Sequence, residues 1–192
     1  ILDKFIGTVA MGFWGPPFTE PAEHSNLALA AAEQVTSALP QIQSLLIRSL
    51  GHTDVGDAYP ITVGIASGDV VVGNMGSASS ISYTVMGDVV NNASRLKGAS
   101  RQYGVPILCS EATKNLADPD YLFREIDQIV AVGMDEPMVI YELVTNAREQ
   151  AGYDDEVIGL YAAGLDMYRA RDWPKAQEYW QKLLLKVPGD CA

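Results

Sequence analysis

Asn91 and Arg95 stand at i and i+4 in the run "DVVNNASRLKGASRQYG" (88–104). On a helix that spacing puts both side chains on one face. A guanidinium presents forked donors that match phosphate oxygens, so the pair suits a phosphorylated ligand. It also suits an ordinary solvated helix face. Thr84, in "YTVMGD", offers a hydroxyl that donates or accepts, and Lys4, in "DKFIGT", offers an ammonium that only donates. Taken alone, Lys4 reads as a solvated strand lysine. Thr8 follows Gly7 at the crest of a turn and is a small, neutral hydroxyl residue. His24 and His52 have no matching metal partners and read as surface residues.

These residues need elements to position them. "ILDKFI" and "TVAMGFW" are β-rich runs joined at Gly7, which fits a hairpin. Phe13 and Trp14 read as core. "GPPF" (15–18) ends that pair. Thr19 can cap a helix over 21–39, with Pro21 in its first turn. Pro40 should split it from "QIQSLLIRSL". "ITVGIAS" and "DVVVGNM" flank Gly68-Asp69 and read as a second hairpin. "GSASSIS" reads as a polar loop, "YTVM" as a short strand, and 88–104 as a helix capped by Asp88 and stopped by Gly104. "VPILCS" is a buried strand with Cys109 as a small hydrophobe. "SEATKNL" is a short helix capped by Ser110. "FREIDQIVAVG" and "MVIYELV" alternate as paired strands. Strands mixed with a few helices predict an α+β sandwich, with helices packed on a sheet.

Composition turns polar over 145–155, which predicts a linker. Beyond it, Gly164, Ala176, Trp180 and Pro188 follow the spacing of a tetratricopeptide-like helical hairpin over 154–190, with Asp172 as an N-cap and Pro174 in the first turn. One repeat cannot bury its own face. It packs on the main domain or begins an array. The main domain is expected over 1–146.

The chain has 192 residues, a net charge of −11, and 48% hydrophobic and 19% charged residues. An acidic field with scattered Lys and Arg argues against a nucleic-acid partner. No apolar run approaches the ~20 residues that span a bilayer. Two cysteines make no disulfide framework, and a cytoplasmic location is the default. The opening on Ile1 within a strand reads as a piece of a longer protein.

Several ordered motifs resemble the class III adenylyl and guanylyl cyclase catalytic domain: "DKFIG" (3–7), "MGFWGPP" (11–17), "GIASGDVVVGNMGS" (64–77), "YTVMGDVVNNASRL" (83–96), "REID" and "EPMVIYEL". The resemblance covers about residues 1–144. It implies a ferredoxin-like sheet with helices on one face, with the first strand and its helices lying before Ile1. It implies head-to-tail pairing, as a homodimer or with another cyclase domain, and an ATP site at the interface. There the ribose 3′-hydroxyl attacks the α-phosphate and pyrophosphate leaves. Lys4 matches the lysine that contacts the adenine edge, and Thr84 the position that discriminates the base; this Lys and Thr pair implies ATP over GTP. Asn91 matches the ribose-orienting asparagine and Arg95 the transition-state arginine.

The family's metal cofactor, Mg2+ or Mn2+, is held by two aspartates. One falls before Ile1 and the other aligns with Thr8, whose neutral hydroxyl does not replace a hard anionic ligand. The triphosphate lysine aligns with Val132. Two functions follow: an adenylyl cyclase converting ATP to cyclic AMP and pyrophosphate in intracellular signalling, or a catalytically impaired cyclase-like regulatory or dimer-partner module.

Overall fold

The computed structural model describes residues 1–50, 61–77, 80–130, 137–190 and 192. The chain begins with an antiparallel hairpin of β1 (Leu2–Ile6) and β2 (Val9–Gly12), turning on Gly7 at φ +61°, a conformation that favours glycine. Residues 15–23 follow as a series of turns. Helix α1 (His24–Ser37) therefore starts later than Thr19 predicts, with Glu23 at its N-cap and no capping side chain. Pro40 lies in the first turn of α2 (Leu39–Leu50), where its missing N–H is tolerated, so the split expected there is present.

The hairpin expected around Gly68-Asp69 is not formed. β3 (Val63–Ile65) leaves for the central sheet, while β4 (Val71–Ser77) pairs antiparallel with β5 (Ser80–Met86). The turn chemistry at 68–69 is real, with Gly68 at φ +157°, but it marks a change of sheet. "GSASSIS" is correspondingly more strand than loop: Gly76, Ser77 and Ser80–Ser82 continue the β4–β5 ladder. Cross-strand pairing there overrides the weak β preference of serine.

After β5 come α3 (Asp88–Gln102), β6 (Ile107–Ser110), α4 (Glu111–Asn115), β7 (Phe123–Ile129) and β8 (Met138–Leu143). Gly87 takes the N-cap of α3, and Asp88 stands one place inside, where a negative charge still favours the helix start. At the other end Gly104 has φ +66°, and the Val105 N–H reaches back to the Ser100 carbonyl at 3.1 Å, a Schellman stop. Ser110 caps α4 by accepting from the Thr113 N–H. The central sheet has the order β3-β6-β8-β7; β3 and β6 are parallel and the other pairs antiparallel.

Successive residues of these strands face opposite sides. Ile107 and Leu143 pack with Leu29 and Ala32 of α1. Leu108 and Ile140 pack with Leu96 of α3 and with Tyr161, Leu165 and Leu183 beyond the sheet. Helices thus cover both faces, not one. The last three belong to a helical hairpin of α6 (Asp155–Arg169) and α7 (Trp173–Lys186), reached through α5 (Asn146–Gln150) inside the stretch expected to be a linker. Asp172 caps α7 by accepting from the Lys175 N–H, with Pro174 in the first turn. A Cβ on Gly164 would collide with the Trp180 indole, so glycine there sets the α6–α7 approach.

Arg124, wholly buried on β7, joins the hairpin to the sheet. Its Nε donates to Glu142 Oε2 at 2.8 Å, and its Nη1 and Nη2 donate to the two oxygens of Asp190 at 2.5 and 3.0 Å. Tyr161 lies over the guanidinium at 4.6 Å and donates its hydroxyl to the Ile126 carbonyl. Arg148 closes on Glu142 Oε1 at 2.6 Å as a charge contact without hydrogen-bond alignment. Cys109 is buried on β6, which pushes its thiol up to about 12.

Candidate active site

The β1–β2 and β4–β5 hairpins meet through aromatic and polar contacts. Tyr83 of β5 packs tilted against Phe13 at 6.5 Å and edge-on to Phe18 at 5.9 Å. Phe13 is half-buried in this contact, as is Trp14, so neither belongs to the central core. One residue on, the buried Thr84 donates its hydroxyl to Asp3 Oδ2 at 2.7 Å. Lys4 sits beside that carboxylate, with Nζ 3.6 Å from the same oxygen and 38% of its side chain exposed. Lys4 and Thr84 are 80 positions apart in sequence, and the fold brings them to one carboxylate.

Asp3 lies within the quoted "DKFIG", yet sequence reasoning gave it no role. The available signal was an acidic residue next to a basic one inside a short, otherwise apolar strand. β1 and β2 slip register between Leu2 and Lys4, leaving Asp3 as the extra residue of a bulge. A bulge re-aims a side chain. Here the Asp3 side chain is fully buried and the next residue, Lys4, is still half-buried, where strict alternation would leave one of them fully out.

Asn91 and Arg95 both lie on α3, which begins two residues after β5 ends. Asn91 is exposed, while Arg95 is half-buried and donates from Nη1 to Asn92 Oδ1 at 3.1 Å. The helix is seated by Gly64 of β3: a Cβ at that position would strike the Ala93 carbonyl and the Lys97 N–H. The glycine in "GIASGD" therefore sets how closely the Asn91 and Arg95 helix approaches the sheet.

Thr8 is exposed at the crest of the β1–β2 turn. Val132 lies outside the described residues, as does His52. His24 is half-buried, with Nδ1 against the Pro21 carbonyl at 2.5 Å. Among the described residues no three His, Cys, Asp or Glu side chains gather into a group able to hold a metal ion. Asp3, the carboxylate nearest Lys4, is already engaged by Thr84. These residues do not by themselves fit a divalent cation. A cleft of about 260 Å³ lies between β7 and the helical hairpin, lined by Tyr103, Asp127, Tyr161 and Trp180. None of Lys4, Thr84, Asn91 or Arg95 reaches it.

The sequence profile of the adenylate and guanylate cyclase catalytic domain matches residues 21–145. The chain belongs to this family. An adenylate cyclase of Anabaena cylindrica is 37% identical over 145 residues, covering 74% of this chain and 28% of its own length. The terminal-differentiation-specific adenylate cyclase of Dictyostelium discoideum is 26% identical over 98% of this chain, which spans 9% of that protein. The crystal structure of the adenylyl cyclase CyaB from P. aeruginosa superposes with a TM-score of 0.60 at 31% identity, covering 76% of this chain and 71% of that one. The α+β fold is that of a cyclase catalytic domain. Cyclases of this family depend on divalent metal ions. No helix among the described residues is long and apolar enough to cross a membrane.

Proposed function

We propose that the chain is an adenylyl cyclase domain that converts ATP to cyclic AMP and pyrophosphate in intracellular signalling, acting in the cytoplasm as a pair of domains. The observation that carries this reading is the convergence of Lys4 and Thr84 on Asp3, with the Asn91 and Arg95 helix starting just past Thr84. Lys4 donates to the adenine ring and Thr84 accepts from its 6-amino group. Asn91 orients the ribose so that its 3′-hydroxyl faces the α-phosphate. Arg95 meets the charge that develops on the phosphate oxygens as pyrophosphate leaves. Pairing is supported by apolar side chains left in water on the two hairpins, including Phe5 at 71% exposure, Val71 and Ile81 at 67% each, and Met86 at 57%.

A second reading has its own observation. Thr8 presents a neutral hydroxyl at the turn, so the domain supplies base, ribose and phosphate contacts while a partner domain supplies the metal ligands. Both readings are tested by cyclic AMP formation from ATP with Mn2+, using the chain alone and mixed with a metal-competent cyclase domain. Product from the chain alone supports the first, and product that rises only on mixing supports the second. In the active arrangement Arg95→Ala should lower turnover by about 10²-fold or more. No product in either arrangement overturns both.

A further inference from the structure

We infer that Asp3 is a specificity-determining residue of the nucleotide site: by accepting the Thr84 hydroxyl proton it fixes Thr84 Oγ1 as an acceptor, which selects a purine with a 6-amino group over one with a 6-oxo group. This rests on the reading of Lys4 and Thr84 as the base-contacting pair.

A threonine hydroxyl carries one proton and two lone pairs, so alone it serves either kind of base edge. A carboxylate oxygen only accepts. The contact of 2.7 Å from Thr84 Oγ1 to Asp3 Oδ2 therefore commits the single proton inward. Thr84 is 6% exposed and the Asp3 side chain is fully buried, so bulk water does not compete for the bond. What remains on Thr84 is acceptor capacity alone. Lys4, next to the same carboxylate and partly exposed, presents donors alone.

The corner is thus one donor beside one acceptor. Adenine offers the complement, with ring N1 accepting and the 6-amino group donating. Guanine offers the reverse at both points, N1–H donating and O6 accepting. Two further observations fit. Oδ1 of Asp3 is buried with no hydrogen-bond partner, so the corner is short of donors and not of acceptors. Asp3 is also the bulged residue of β1, so a ladder position is given up to turn this carboxylate inward.

The test is displacement of a fluorescent N-methylanthraniloyl-ATP probe by ATP, GTP and ITP, which needs no turnover. For the unaltered chain ATP should displace at about tenfold lower concentration than GTP or ITP. Asp3→Asn lets the hydroxyl turn either way and should bring the three nucleotides to within a few-fold of one another. Thr84→Val should weaken ATP, and adding Asp3→Asn to it should change the ratio no further, since the carboxylate acts through that hydroxyl. A folded Asp3→Asn chain that keeps the original ratio overturns the inference while leaving Lys4 and Thr84 as the base pair. ITP binding as tightly as ATP to the unaltered chain overturns it without any variant. A chain that binds no nucleotide overturns the base-site reading and this inference with it.

Discussion

Arg124 and Asp190 form a two-pronged ion pair in the interior, 66 residues apart in sequence, with Nη1 on one carboxylate oxygen and Nη2 on the other. The pair spans the sheet and the segment just past α7. The apolar residues around it, Ile126, Ile140, Tyr161 and Leu183, come from both sides and form one cluster. The helical hairpin is therefore a brace for the sheet.

Removing one partner of this pair should be costly. Asp190→Ala leaves a buried guanidinium with only Glu142, and should lower unfolding stability by about 3 kcal/mol. Urea denaturation followed by circular dichroism measures it. Truncation at residue 154 should go further and abolish cooperative unfolding, because it uncovers the Leu108, Ile126 and Ile140 face. A truncated chain that unfolds with an unchanged midpoint would show that the hairpin is independent of the sheet.

The same pair sets a pH response. Burial alone would raise the Asp190 carboxyl, but the hydrogen bonds and charge of Arg124 outweigh it and hold the group below its ordinary value of 3.8. A depressed folded-state value means that the stabilisation is fully present above about 3.8 and is lost as the pH falls through the lower folded value. Asp190→Asn should therefore flatten the acid limb of stability against pH below 4 and leave the slope between pH 6 and 8 unchanged. Chemical denaturation at stepped pH measures both slopes.

Local signals made several parts of this fold legible. The Schellman stop at Gly104, the Ser110 and Asp172 caps and the β7–β8 pairing all depend on side chains or glycines within a few residues. Other features were not legible. The partner of β3 is one, because Gly68-Asp69 has hairpin chemistry whether the chain turns back or changes sheet. Thr19 looked like a cap because its side chain suits one, but the helix begins where Ser25, Ala28 and Leu29 find burial. The buried contact of Asp3 needs the register slip in β1 and a residue 81 positions away. Motif resemblance singles out Lys4, Thr84, Asn91 and Arg95 as candidates. The meeting of Lys4 and Thr84 at Asp3 is not legible there, because it arises from two hairpins coming together.

Gly64→Ala tests how the Arg95 helix is seated. Its Cβ would meet the backbone of α3 at Ala93 and Lys97, which cannot rotate aside as a flexible side chain does. Either α3 lifts from β3 or the sheet bends, and overpacking of this kind costs about 1–3 kcal/mol. The displaced helix carries Asn91 and Arg95, so ATP affinity should fall along with thermal stability. Gly98→Ala, on the same helix and facing open space, is the control, and should preserve both or raise helix stability slightly. A Gly64→Ala chain with native melting temperature and native ATP affinity would show that the close approach of strand and helix has no bearing on either.

Thr8→Asp tests what the turn lacks. Thr8 is exposed, so exchanging it should alter stability by no more than about 0.5 kcal/mol. The change adds a hard anionic oxygen next to a turn whose backbone Gly7 already shapes. A divalent cation brought in with ATP has phosphate oxygens as its other ligands, so one added carboxylate is enough to register. ATP affinity of the Thr8→Asp chain should rise in Mn2+ and return to its starting value in EDTA, while the unaltered chain responds less to the metal. Titration calorimetry with ATP in the two buffers gives the four affinities. An equal metal response in both chains would show that position 8 does not face the triphosphate, and would remove the reason for assigning the metal ligands to a partner domain.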